Sequence, residues 1–203
     1  MSAPTTPAKT PANKLSADLA RVLPHLQLDG EGQAKIGDCR QSAEALDRLE
    51  QAGLLIEATR LVAHALPPRE AVWWACACSR HTAGSGANPA TEAAIRAAAE
   101  EWVRRPTDEH RRAAMTEAEK AGFGSAEAWA AVGAFWSGDS MAPLEAPKVP
   151  PQPHFPGLAV AGSVALAAVR GQATRRDARL KQFLTSARDI AAGGAGRLEA
   201  EAD

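Results

Sequence analysis

The stretch Ala58-Thr-Arg-Leu-Val-Ala-His-Ala-Leu-Pro-Pro-Arg-Glu-Ala-Val-Trp-Trp-Ala-Cys-Ala-Cys-Ser-Arg80 decides the fold. Apolar residues fill it at helical spacing as far as Leu66, two prolines stop the chain, and a second helix starts with adjacent tryptophans. Pro68 suits the first turn of that second helix, where its missing N–H is not needed. Joined this tightly, the two segments form a helical hairpin. The first of them, predicted over 54–66, carries only Glu57, Arg60 and His64 as a narrow polar strip, the pattern of a helix near the centre of a domain.

Working outward, composition gives strands little to build with. Nearly a quarter of the 203 residues are Ala, Tyr is absent, and β-branched residues are sparse, so the fold class expected is all-α. The expected architecture is a compact bundle of about seven or eight helices built from antiparallel hairpins, with a Pro-rich strap before the last two. The balance of 23 Lys and Arg against 24 Asp and Glu argues against binding a polyanion through bulk charge. Three cysteines make an odd count, with Cys76 and Cys78 too close for a disulfide staple, which points to the cytoplasm. The segment Met1–Pro11 lacks the apolar core of a signal peptide. The longest apolar run, 158–169, is about half of the ~20 residues a membrane span needs, so no membrane role is expected.

Residues 1–13 read as a disordered arm, 14–192 as one all-α domain that includes the strap 142–157, and 193–203 as a disordered tail. Ser16 is expected to cap a short helix ending before Pro24, and the Gly- and charge-rich segment 29–37 reads as a loop. Ser42 is the expected cap of a helix carrying Leu46 and Leu49, which Gly53 ends. After the hairpin, 89–104 is an amphipathic helix with Ile95, Ala98, Ala99 and Trp102 on one face. Thr107 begins another that Gly122 stops, and Ser125 caps one carrying Trp129, Val132 and Trp136. Prolines 143, 147, 150, 151, 153 and 156 forbid regular structure in the strap. An apolar helix over 158–170 follows, then a last helix to about 192 opened by a Thr174/Asp177 capping box.

Four features invite a functional reading. On a helical wheel Trp73 falls among Arg69, Glu70, Ala77, Arg80 and His81 and away from Trp74, so Arg69, Glu70, Trp73 and Arg80 are the partner-binding candidates, with Trp73 as anchor. The Pro-rich strap is the expected cover for Trp73, since polyproline docks on aromatic rings. Arg175, Arg176 and Arg179, with Arg170, Lys181 and Arg188, form a weaker basic-face candidate for phosphate or an acidic partner. His64, one turn after Arg60, is expected to bond a loop carbonyl. With His81 it is also the best candidate for a cryptic enzyme site.

Other chemistry finds no support in the sequence. Cys76 and Cys78, two apart on a helix, point away from each other and cannot share an ion, and Cys78 with His81 lacks further ligands at a metal spacing. No nucleophile elbow, carboxylate pair or phosphate loop is present. No cofactor, metal or catalytic residue is expected, and nucleic acid is a poor fit without aromatic interleaving.

The segments Leu61-Val-Ala-His-Ala-Leu-Pro-Pro-Arg-Glu-Ala-Val-Trp-Trp-Ala-Cys76, Glu101-Trp-Val-Arg-Arg-Pro-Thr-Asp-Glu-His-Arg-Arg-Ala-Ala-Met115 and Ala134-Phe-Trp-Ser-Gly-Asp-Ser-Met-Ala-Pro143 resemble an uncharacterised family of helical bacterial proteins, a domain of unknown function. The resemblance covers about residues 40–192. Such proteins are encoded near secretion genes, above all those of type VI systems. The resemblance therefore implies an accessory: an effector adaptor or chaperone, a sheath or baseplate accessory, or a regulator. It implies no catalytic residues. The function expected is binding of another protein, a secretion effector or apparatus subunit, in the cytoplasm, with an enzyme or a nucleic-acid-associated regulator as alternatives.

Overall fold

The computed structural model describes residues 13–15 and 18–201. The expected arm over residues 1–13, apart from Asn13, and the Ser16 cap lie outside the described residues. Within them the fold is all-helical: α1 (Leu19–Val22), α2 (Gly30–Ile36), α3 (Ser42–Gln51), α4 (Leu55–Ala65), α5 (Pro68–His81), α6 (Pro89–Arg104), α7 (Asp108–Lys120), α8 (Ala126–Trp136), α9 (Phe155–Val169) and α10 (Arg176–Ala191). The sole strand-like pairing among them is an isolated bridge between Asp18 and Gln41.

α4 and α5 form the predicted hairpin, with Pro68 at the start of α5 and Leu66 extended between them. α8 is the axle, packing on α5, α6, α7 and α9, while α9 also lies along α4. Small residues allow this closeness: Ala128, Ala130, Ala131 and Ala134 of α8 and Ala159, Ala167 and Ala168 of α9 are all fully buried. Gly133 eases the approach there, because a Cβ would meet side-chain methyls of Val72 and Val160 tightly, at 3.3 Å. Trp74 anchors α5 to α10 from the core, donating its indole N–H to the Phe183 carbonyl at 2.8 Å.

Several boundaries follow the sequence closely. α6 occupies 89–104, Thr107 and Ser125 accept the cap bonds of α7 and α8, and Gly53 and Gly122 end α3 and α7 with positive φ. Four do not. The segment read as a loop, 29–37, contains α2: Asp29 accepts from the Gly32 amide at 2.9 Å and Ile36 is buried, so capping and one apolar anchor outweigh two glycines. Gln41, not Ser42, is the N-cap of α3, and Ser42 is its buried first residue. α9 begins at Phe155, three residues early, since Pro156 is tolerated in a first turn. The capping box at Thr174 is not formed, because a 3₁₀ turn over Ala173–Arg175 leads directly into α10.

The strap is irregular, as its prolines require, but it does not reach Trp73. It closes on itself through Met141 N to Val149 O at 2.7 Å, and the Ser140 hydroxyl accepts from the Ala142 and Val149 amides. It is tied to the bundle by Arg111 of α7, which is buried and donates to the Phe135 and Ser140 carbonyls at 3.1 and 2.8 Å. The cover of Trp73 is instead the segment 193–201, expected as a disordered tail. It turns back at Gly193 and Gly196, both at positive φ, and runs over α5 and α10.

Candidate functional site

The Trp73 face is assembled by α5 as the wheel predicts, and then closed by the rest of the chain. Trp73 is half-buried, donates its indole N–H to Ala195 O at 2.8 Å, and lies under the Arg80 guanidinium 5.5 Å from the ring. Arg80 pairs with Glu100, Glu70 with Lys14, and Arg69 donates to the Val103 carbonyl. Arg69, Glu70 and Trp73 thus line a shallow cleft of about 260 Å³ with Lys14 and the returning tail. Ala77 and His81, placed on the same exposed arc by the wheel, are buried, His81 beneath that tail. His81 Nδ1 meets the Glu199 carbonyl, and the Glu201 amide donates to His81 O at 2.8 Å. The wheel treats α5 in isolation and could not see this cover.

The basic-face candidates separate. Arg179 is 1 % exposed and is held between Glu201 and the Ala168 carbonyl, at 3.1 and 3.0 Å, so it cannot meet an external phosphate. Glu201 also pairs with Arg175, and the Arg179 guanidinium holds its carboxyl below the usual carboxylate range. Arg176 pairs with Asp177 on the surface. Arg170 joins the buried Glu127 at 3.0 Å, and Arg188 bridges Asp47 and Glu50. The local excess of arginine is spent on tying α10 and α9 to their neighbours.

His64 and His81 do not form one polar site, since His81 packs edge-on against Phe183 under the tail. His64 is placed otherwise than expected as well. Among the described residues it makes no bond to a loop carbonyl. Its ring lies 5.3 Å from that of His25, which stacks at 4.5 Å and 11° on His154. Three of the chain's five histidines thus meet from the turn after α1, from α4 and from the residue capping α9. His25 and His154 carry no periodic signal that would have linked them to His64. The one local hint is that each stands beside proline, as Pro24-His25 and Pro153-His154, where the chain turns.

His25 and His64 line a groove between α4 and α9, a cleft of about 210 Å³ whose polar wall is completed by Gln27, Thr59 and Arg60, while His154 stacks on His25 outside that lining. Its apolar floor is Ala161, Gly162 and Ala165 of α9, with Ile56 and Leu158 at the sides. Arg60 donates to the Leu26 carbonyl at 3.3 Å, and the Thr59 hydroxyl is committed to Leu55 O at 2.8 Å. Gln27 adopts φ 51°, a strained conformation for a residue with a side chain. Gly157 permits the approach of α9, because a Cβ there would land on the His64 ring. Burial, then the nearby His25 and His154, push the His64 imidazole down to about 4, so it is neutral at pH 7.

Beyond this cleft α9 stays apolar on its outer face. Leu158, Leu166 and Val169 are 45, 38 and 42 % exposed, and Phe155–Val169 contains no charged residue. The helix has fifteen residues, and no helix among the described residues is long and apolar enough to cross a membrane. Cys76 and Cys78 are buried, and burial pushes both thiols up, away from the nucleophilic thiolate form. Among the described residues, no three of His, Cys, Asp and Glu converge as metal ligands.

No curated protein and no solved structure matches the chain. Residues 45–191, from α3 to the end of α10, match the model of a family of unknown function, DUF6931, and the chain belongs to that family.

Proposed function

We propose that the chain is a non-enzymatic protein-binding accessory whose docking surface is the outer face of α9 with the groove beside it. The observation that carries this reading is the exposed apolar stripe Leu158–Leu166–Val169 on a helix without a single charge. Contiguous apolar surface of this kind marks interaction sites, and a groove between two helices with an apolar floor suits a helix laid in it. The occupant that fits is an amphipathic helix of another protein. Its apolar side covers the stripe, and an acidic side chain faces Arg60 and the imidazoles, where no carboxylate of this chain lines the cleft. Trp73, with its N–H bonded to the tail and Arg80 over its ring, reads as an internal anchor. The role as a cytoplasmic adaptor or chaperone-like component of a type VI secretion system rests on the sequence resemblance alone.

Leu166→Glu and Val169→Glu change exposed positions and should leave the fold intact while abolishing capture of the partner. A photo-crosslinking residue at 166 identifies that partner, and the complex is then rebuilt from two purified proteins. Binding that survives both glutamates, or is lost only with Trp73→Ala, would move the interface to α5. A crosslink to a second copy of the chain would replace the adaptor reading by a homodimer.

A further inference from the structure

We propose that His25, His64 and Arg60, with His154 stacked behind His25, form an oxyanion site, taking a small phosphate- or carboxylate-bearing ligand in the α4–α9 cleft. Imidazoles at positions 25, 64 and 154, far apart in sequence, converge: the His25 ring lies tilted 5.3 Å from that of His64 and stacks at 4.5 Å on that of His154. His25 and His64 line the cleft together with Arg60, one turn before His64 on α4. Packing alone would be served by apolar side chains. Three nitrogen-bearing side chains on one lining supply hydrogen-bond donors and no countercharge.

Among the described residues no carboxylate lines the cleft. The lining adds Gln27 and Thr59 as polar groups and no Asp or Glu. α9 has no acid at all, and Glu57, the one acid of α4, is outside the lining. Burial first, and then the neighbouring His25 and His154, oppose protonation of His64. The positive end of the α9 dipole lies at His154, which caps that helix. An anion entering the cleft meets Arg60 at once. By favouring imidazolium it then recruits the histidines as further charged donors.

A metal is a worse occupant. The 11° stack of His25 on His154 sets two rings face to face, so their nitrogens lie in parallel planes instead of aiming at one point. Gly157 is the complementary piece, because any side chain there would push the His64 ring out of the cluster. The volume, about 210 Å³, has room for several waters, enough for phosphate or a short carboxylate. The proposal rests on the same cleft as the docking reading and needs no partner, so the two can fail separately.

The test is a titration of the full chain with inorganic phosphate, and in parallel with acetate, at pH 6 and pH 8 and constant ionic strength. Histidine ring resonances are followed by NMR. Saturable shifts of the His25, His64 and His154 rings are expected, stronger at pH 6, with His64 protonating at higher pH as phosphate is added. Arg60→Gln should weaken binding by about tenfold or more, Arg60→Lys should restore part of it, and His110→Gln should change nothing. A response to phosphate but not acetate assigns a phosphate ligand, and a response to both assigns the oxyanion class. Ring shifts that do not saturate, or that persist unchanged in folded Arg60→Gln and His64→Gln, would overturn the proposal. Saturation by Zn²⁺ without response to either anion would replace it by a metal site.

Discussion

At the scale of single residues, two glycines of α9 make opposite predictions from one geometry. Gly157→Ala places a methyl on the His64 ring, in a first turn whose neighbours are fixed by packing, and overpacking of this kind costs about 1–3 kcal/mol. Gly162→Ala finds nothing within 4 Å and gains helix propensity, so it should stabilise by up to about 1 kcal/mol. Urea unfolding of the two variants measures both signs, and equal effects would mean that α9 does not press on His64. Gln27→Gly belongs with them. It relieves the positive φ of a residue lining the cleft and should be neutral or mildly stabilising in the same assay.

At the scale of elements, the 193–201 segment is the least anticipated part of the fold, and its worth is concentrated in Glu201. Arg179 is almost wholly buried, and among the described residues Glu201 is its one carboxylate partner. Glu201→Ala should cost about 3 kcal/mol, because it leaves a buried guanidinium without countercharge. Arg179→Met with Glu201→Ala together should cost less than the single change. A double-mutant cycle by thermal unfolding checks this, and additive effects would place the tail off the bundle.

The same element shows where sequence reading stops. α4, α5 and α6 were legible because the apolar period, the prolines and the caps of each lie within the element itself. Segment 193–201 has no period. It is held by carbonyls and glycine turns that pair with Trp73, His81 and Ser186, each at least ten residues away. α2 failed for the opposite reason, since its two glycines argue for a loop more loudly than Asp29 and Ile36 argue for a helix. Of the candidate site, His64 and Arg60 could be read from their place on α4. His25 and His154 could not, because only the packing of α9 on α4 brings them together.

At the scale of the whole molecule, acid stability joins the cleft to the fold. His64 protonates at about 4 in the folded chain against about 6.5 when free, so between these values the unfolded chain binds the proton first. Stability is therefore complete above pH 6.5 and falls as pH drops toward 4. After discounting for partial exposure the loss is about 1–2 kcal/mol. Carboxylates held low by arginine, among them Asp108 and Glu201, contribute stability above their unfolded values, and that is lost only as the pH falls further. The melting temperature should thus decline in two stages on acidification. His64→Gln should flatten the first stage and leave the second. Phosphate should also flatten the first stage in the wild-type chain, since an anion bound beside Arg60 raises the folded-state protonation of His64 and closes the gap to the unfolded value. A first stage insensitive to both His64→Gln and phosphate would mean that the three imidazoles neither feel one another nor share a ligand.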